Sequence, residues 1–156
     1  MTTLAPSRDR IVTFEVPGFP EIGQILTMIL GVRANGRDWL VRALNRLESV
    51  AALPPGWDGE GGPPPNAQIV ASAGSLLRYL QRGDVPLPFI CPIAGGTLQM
   101  EWSFAGRGVE LEFLDQQTIA FLRVDNTTTE RSIESGEYPV SDINRSRELL
   151  DWLVGA

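Results

Sequence analysis

The sequence predicts an α+β domain: an antiparallel four- to five-stranded meander, with helices packed on one face and a C-terminal helix. Three observations predict it. Apolar residues recur at helical spacing over 22–30, 40–51 and 69–80. From residue 88 the period changes to two, in short runs joined by polar turns. A last helical stripe, Ile143, Leu149, Leu150, Trp152 and Leu153, follows those runs. The order strand, helices, meander, helix places the helices together on one side of the sheet.

Residues 1–9 are polar and expected to be flexible, leaving 10–156 as a single domain. Ile11-Val12-Thr13-Phe14-Glu15-Val16 is rich in β-branched residues and stops at Pro17-Gly18, so it reads as a strand. Ile22, Ile25, Leu26, Ile29 and Leu30 form an amphipathic stripe closed by Gly31. Core packing is the plainer use of that stripe; Ile22, Ile25, Leu26 and Ile29 are also the candidate partner-binding residues. Asp38 is placed to cap the next helix, with Leu40, Val41, Leu44, Leu47 and Ala51 facing inward. Its Arg42 and Arg46 read as a solvated face. Pro54-Pro55 ends that helix. Asn66 then caps a helix carrying Ile69, Val70, Ala73, Leu76, Leu77 and Leu80, which Gly83 terminates.

Five runs follow. Pro88 to Ile93 is a strand whose prolines assign it to an edge. Leu98, Met100, Trp102 and Phe104 alternate with Gln99, Glu101 and Ser103, and Val109, Leu111 and Phe113 alternate with Glu110 and Glu112. Thr118 to Val124 makes a fourth strand and Glu130 to Glu134 a fifth, before Ser141 or Asp142 caps the last helix. A turn symmetric over 105–108 pairs Met100 with Phe113, Trp102 with Leu111 and Glu101 with Glu112.

The stretch Pro54 to Pro65 holds five of the twelve prolines, four of the sixteen glycines and one of four tryptophans. A Trp in so irregular a segment is costly to leave in water. The segment therefore reads as a structural turn carried by Gly56, Trp57, Asp58, Gly59 and Gly61. Trp57 is expected to be buried between two helices, and Asp58 to accept bonds from the amides that follow it. Asp58-Gly59-Glu60-Gly61 lacks the alternating oxygen ligands of a calcium loop. A phosphate cradle would need a preceding strand, a Lys and amide donors where three prolines stand.

Composition excludes more than it assigns. The chain has 156 residues, a net charge of −6, no His and no Lys. That removes imidazole base catalysis, Schiff-base chemistry and the P-loop lysine. Cys91 is the only cysteine, expected to be a buried small apolar residue rather than a nucleophile or zinc ligand. An acidic surface disfavours direct nucleic-acid binding. No apolar run approaches the length of a membrane span, and the opening residues lack the pattern of a signal peptide, so cytoplasm is the expected compartment. No cofactor is expected. Glu101 and Glu112, if opposed, are the candidate carboxylate pair for a divalent cation or acid–base chemistry. Solvated side chains that splay apart are the simpler account.

Gly56-Trp57-Asp58-Gly59-x-Gly61, Pro63-Pro64-Pro65, Gly95-Gly96-x-Leu98-Gln99-Met100-Glu101-Trp102, Leu111-Glu112-Phe113 and Leu149-Leu150-x-Trp152-Leu153 carry a resemblance. Over roughly 46–154 the chain resembles a group of small bacterial proteins without assigned function. They share a Gly-Trp-Asp-Gly-x-Gly turn followed by a Gly-Gly-x-Leu-Gln-x-Glu-Trp hairpin. The resemblance implies a bacterial, non-secreted α+β protein and carries over no catalytic residues. Residues 10–35 lie outside it and read as an addition specific to this member. The expectation is a non-enzymatic interaction module, an accessory, immunity or antitoxin-like subunit. Its partner would be another protein, one with a basic surface suiting the charge, and homo-oligomerisation stays open. The alternative is a carboxylate-dependent enzyme or cation binder using Glu101 and Glu112.

Overall fold

A computed structural model describes residues 36–156. The strand expected at 11–16, the flexible 1–9 segment, the added region 10–35 and the stripe Ile22, Ile25, Leu26 and Ile29 lie outside the described residues.

Helix α1, Gly36–Ala51, buries Trp39, Ala43, Leu47 and Val50, spaced by four, four and three residues on one face. This corrects the expected start and face. The helix begins two residues before Asp38, which sits in the first turn as an acid near the positive end of the helix dipole. Val41 is 51% exposed, and Trp39 takes the inward place the expected stripe did not give it. Its ring can go inside because the indole N–H donates to Pro86 O at 3.1 Å.

Helix α2, Ala67–Leu80, starts where expected: the Asn66 side chain accepts the Gln68 N–H at 2.8 Å. Ile69, Ala73, Leu76, Leu77 and Leu80 are buried, and Gly74 lets Leu47 of α1 approach closely. The helix stops at Leu80, before Gly83. The next residues turn away so that Arg82 can pair with Asp84 at 2.6 Å and with Asp151 of the C-terminal helix.

Five strands form one antiparallel sheet in sequence order: β1 Phe89–Ile93, β2 Thr97–Phe104, β3 Arg107–Phe113, β4 Thr118–Asp125 and β5 Ser132–Pro139. The fifth is longer than expected and shifted toward the C-terminus. The β2–β3 register also differs from the expected one. Met100 opposes Leu111, Trp102 opposes Val109 and Phe104 opposes Arg107. The hairpin turns on Ala105 and Gly106 alone, both in the left-handed region at φ 47° and 84°. Positive φ at both central residues defines a two-residue turn whose twist matches the strands.

Helix α3, Ile143–Val154, is capped by Asp142, whose side chain accepts the Arg145 N–H, and ends at Gly155 with φ 76°. Leu149, Leu150 and Leu153 join the same core as the inward rows of the sheet, Ile90, Leu98, Met100, Trp102, Leu111 and Phe113. The Trp102 indole N–H finds no acceptor among the described residues, so burial of the ring holds it there. The guanidinium groups of Arg107 and Arg123 lie over the Trp152 ring, at 5.2 and 4.9 Å from its centroid. Arg107 also donates to the Trp152 carbonyl at 2.8 Å, satisfying a helix-end acceptor.

One buried polar contact joins α3 to β5. Ser146, fully buried, shares a 2.8 Å hydrogen bond with the Tyr138 hydroxyl. Burial pushes the Tyr138 phenol up to about 12. Tyr138→Phe should cost about 1–3 kcal/mol, because it strands the Ser146 hydroxyl. Adding Ser146→Ala should recover most of that in urea unfolding; additive losses would show that the two groups do not depend on each other.

Candidate functional site

The Gly-Pro segment folds onto itself. Gly56 N–H donates to Gly62 O at 2.8 Å, and the Trp57 indole N–H donates to Pro63 O at 2.9 Å. Asp58 Oδ1 accepts the Glu60 and Gly62 amides, both at 2.9 Å. Those bonds, Gly62 first, hold the Asp58 carboxyl below its ordinary range. Gly56, Gly59 and Gly61 have φ of 78°, 81° and 82°, a backbone that other residues resist. A Cβ at Gly62 would run into the Asp58 carboxylate. Trp57 is half-buried and lies outside the core, so its expected burial between two helices is corrected: the ring clasps its own loop.

The loop then docks on the first hairpin. Asn66 N–H donates to Gly96 O at 2.9 Å, and a Cβ at Gly96 would meet Pro64 O at 3.4 Å. The Gly-Trp-Asp-Gly and Gly-Gly-x-Leu-Gln segments, far apart in sequence, therefore share one corner. Beside it lies a groove of about 300 Å³ lined by residues including Gln68, Thr97, Asp115 and Gln116. Two of its polar side chains are engaged within the fold: Asn66 caps α2, and Asp115 accepts the Gln117 and Thr118 amides at 2.7 and 2.8 Å.

The sheet face turned away from the helices is chemically distinct. Its rows run Phe89, Glu101, Glu110, Leu122, Ser135 and Cys91, Gln99, Glu112, Ala120, Glu137. Glu101 thus opposes Glu110, while Glu112 opposes Gln99, correcting the expected Glu101–Glu112 pair. The shorter turn explains it: removing two residues from the loop moves every partner by two. Gln99 Nε2 donates to Glu101 at 2.9 Å and to Glu110 at 3.3 Å. The amide occupies the place a bridging cation would take. Glu112 instead accepts from Thr97 at 3.3 Å. Among the described residues, no group of three or more His, Cys, Asp or Glu is placed to hold a metal.

Burial, then the Glu101 charge, pushes the Glu110 carboxyl up. Cys91 is half-buried on this face rather than in the core, its thiol 3.9 Å from Glu101. Burial first and Glu101 second push that thiol up, which suppresses the thiolate a nucleophile needs. Both strand arginines, Arg107 and Arg123, stand on the helix side, across from Asp125 and Glu134. The outward positions of the described strands carry Glu101, Glu110, Glu112 and Glu137 and no basic residue. Arg46 of α1 reaches their margin, 5.4 Å over the Phe89 ring.

These features define a small α+β protein with a helix-covered, closed core and an acidic second sheet face. Comparison with protein-family models, with curated proteins and with solved structures finds no match to this chain.

Two outcomes check the geometry. Trp57→Phe, which removes the indole N–H together with part of the ring, should cost about 1 kcal/mol in urea unfolding; a loss above about 3 kcal/mol would place the ring in a core after all. Because the Glu110 pKa is raised in the fold, the native state holds the extra proton, and stability falls as pH rises through that pKa. Glu110→Gln should therefore stabilise by about 0.2–1 kcal/mol at neutral pH. The gain should vanish below the ordinary carboxylate range, about pH 4. A gain equal at both pH values would contradict the assignment.

Proposed function

We propose that this chain is a non-enzymatic protein-interaction module, an accessory, immunity or antitoxin-like subunit of a bacterial complex. The observation that carries the reading is the segregation of charge across the sheet. The strand arginines are consumed on the helix side, while four glutamates stand on the other side among Phe89, Leu122 and Ile133. A mixed acidic and aliphatic surface suits a protein partner with a basic face. The bacterial setting comes from the resemblance of residues 46–154 to small bacterial proteins. No helix among the described residues is long and apolar enough to cross a membrane, in keeping with a cytoplasmic subunit. The absence of His and Lys from the sequence supports binding over catalysis.

The carboxylate-enzyme reading is weaker. Its two residues do not face each other, and Glu101 and Glu110 share the Gln99 amide. The interaction reading predicts that the full chain, purified from its source cells under low salt, carries another protein in stoichiometric amount. Half of that association or more should be lost at about 0.5 M salt, where exposed charge attraction is screened. A monomer that carries nothing at low salt would overturn it.

A further inference from the structure

The two edges of the sheet are treated differently. β1 is five residues long, contains Pro92, follows Pro88 and has α1 alongside it, with Arg46 over Phe89. Proline, shortness and a covering element are the usual means of blunting an edge. Among the described residues β5 has none of these along its length. It pairs with β4 over eight consecutive residues without a bulge, and its only proline is the last residue, Pro139. Every residue from 126 to 137 is exposed, and among the described residues no strand lies along the β5 rim.

What fixes β5 leaves its rim untouched. Arg123 and Arg145 hold Glu134 from the helix side, and Arg145 also lies 4.9 Å over the Phe121 ring. That ring fills the space above Gly136, where a Cβ would sit 2.9 Å from it. Tyr138 is anchored by Ser146. The strand is thus held in one unbroken register with β4, with alternate backbone N–H and C=O groups directed outward.

We propose that β5 is a strand-addition site, which takes an extended basic segment of a partner polypeptide as a sixth strand. The proposal rests on the interaction-module reading and locates it. Backbone pairing would supply the affinity, and alternate side chains the selection. On the acidic face the incoming strand would meet Ile133, Ser135 and Glu137, calling for an apolar residue near Ile133 and Arg or Lys near Glu137. Glu130, Glu134 and Glu137 outnumber Arg131 along this segment, and the whole chain carries −6. A second copy would therefore bring like charge to like, whereas a basic strand is complementary.

The test uses the full ¹⁵N-labelled chain with two synthetic peptides, an alternating Arg-Val octamer and its Glu-Val counterpart. The Arg-Val peptide should shift backbone amides within 132–138 and slow their hydrogen exchange, and should bind at least tenfold tighter than the Glu-Val peptide. Ile133→Lys with Glu137→Lys, at two exposed positions, should weaken it at least tenfold while amides outside β5 keep their shifts. Shifts centred on Glu101 and Glu110, equal binding of both peptides, or full binding by the double variant would overturn the proposal. So would β5 amides that become protected with protein concentration alone, since that indicates a second copy. The double variant purified from source cells separates the two readings. If it keeps the partner carried by the wild type, the edge is wrong and the module stands; if the wild type carries none, both fall.

Discussion

The Ala105–Gly106 turn is the constraint on which the rest depends. Because only two residues connect β2 to β3, the register has a single setting, and side-chain period two does the rest. Met100, Trp102, Val109 and Leu111 fall on the helix side and are buried to within 1% exposure. Glu101, Glu110 and Glu112 fall on the other. A one-residue slip would send the carboxylates into the core, so core and acidic face are two consequences of one connection. Ala105 pays a strain of roughly 1 kcal/mol or more to occupy the left-handed region. The Asn126 N–H, donating to Gly106 O at 2.9 Å, ties the turn to the end of β4.

Around that register the remaining contacts form a graded structure. The centre is dense: α2 and α3 press Leu77, Leu149 and Leu150 onto the inward rows. The corner made by the Gly-Pro clasp and the first hairpin is held by backbone hydrogen bonds and glycine geometry, with little apolar area. β5 is held by its ladder, by arginines reaching from α3 and β4, and by Tyr138. Segments with many exposed backbone hydrogen bonds and few buried apolar contacts open at the lowest free energy. β5 is such a segment, and a binding strand would add the contacts it lacks.

Most of the fold is legible in the sequence, and the failures have identifiable causes. The α2 stripe with Asn66, the alternation in β2 and β3, and the Asp142 cap all follow local rules, and tertiary packing agrees with them. Trp39 is hidden because a helical wheel does not show that Pro86 O waits for its N–H. The α2 terminus is displaced from Gly83 because the Arg82–Asp151 ion pair is long-range. The β2–β3 register is missed because Ala-Gly is a weaker signal for a two-residue turn than Asn-Gly, and a symmetric four-residue loop gave an equally coherent apolar row. That one difference separates the expected Glu101–Glu112 pair from the observed Glu101–Glu110 pair. The openness of β5 leaves no local signature, since an edge is a property of strand order.

The register of one hairpin therefore sets the acidic face and, through β3 and β4, the position of the β5 rim. Cross-strand nuclear Overhauser contacts in the full chain measure it directly. Backbone contacts should join Met100 to Leu111 and Trp102 to Val109, and place Glu101 beside Glu110. Contacts joining Met100 to Phe113 and Glu101 to Glu112 would contradict the register and, with it, the chemistry assigned to both faces.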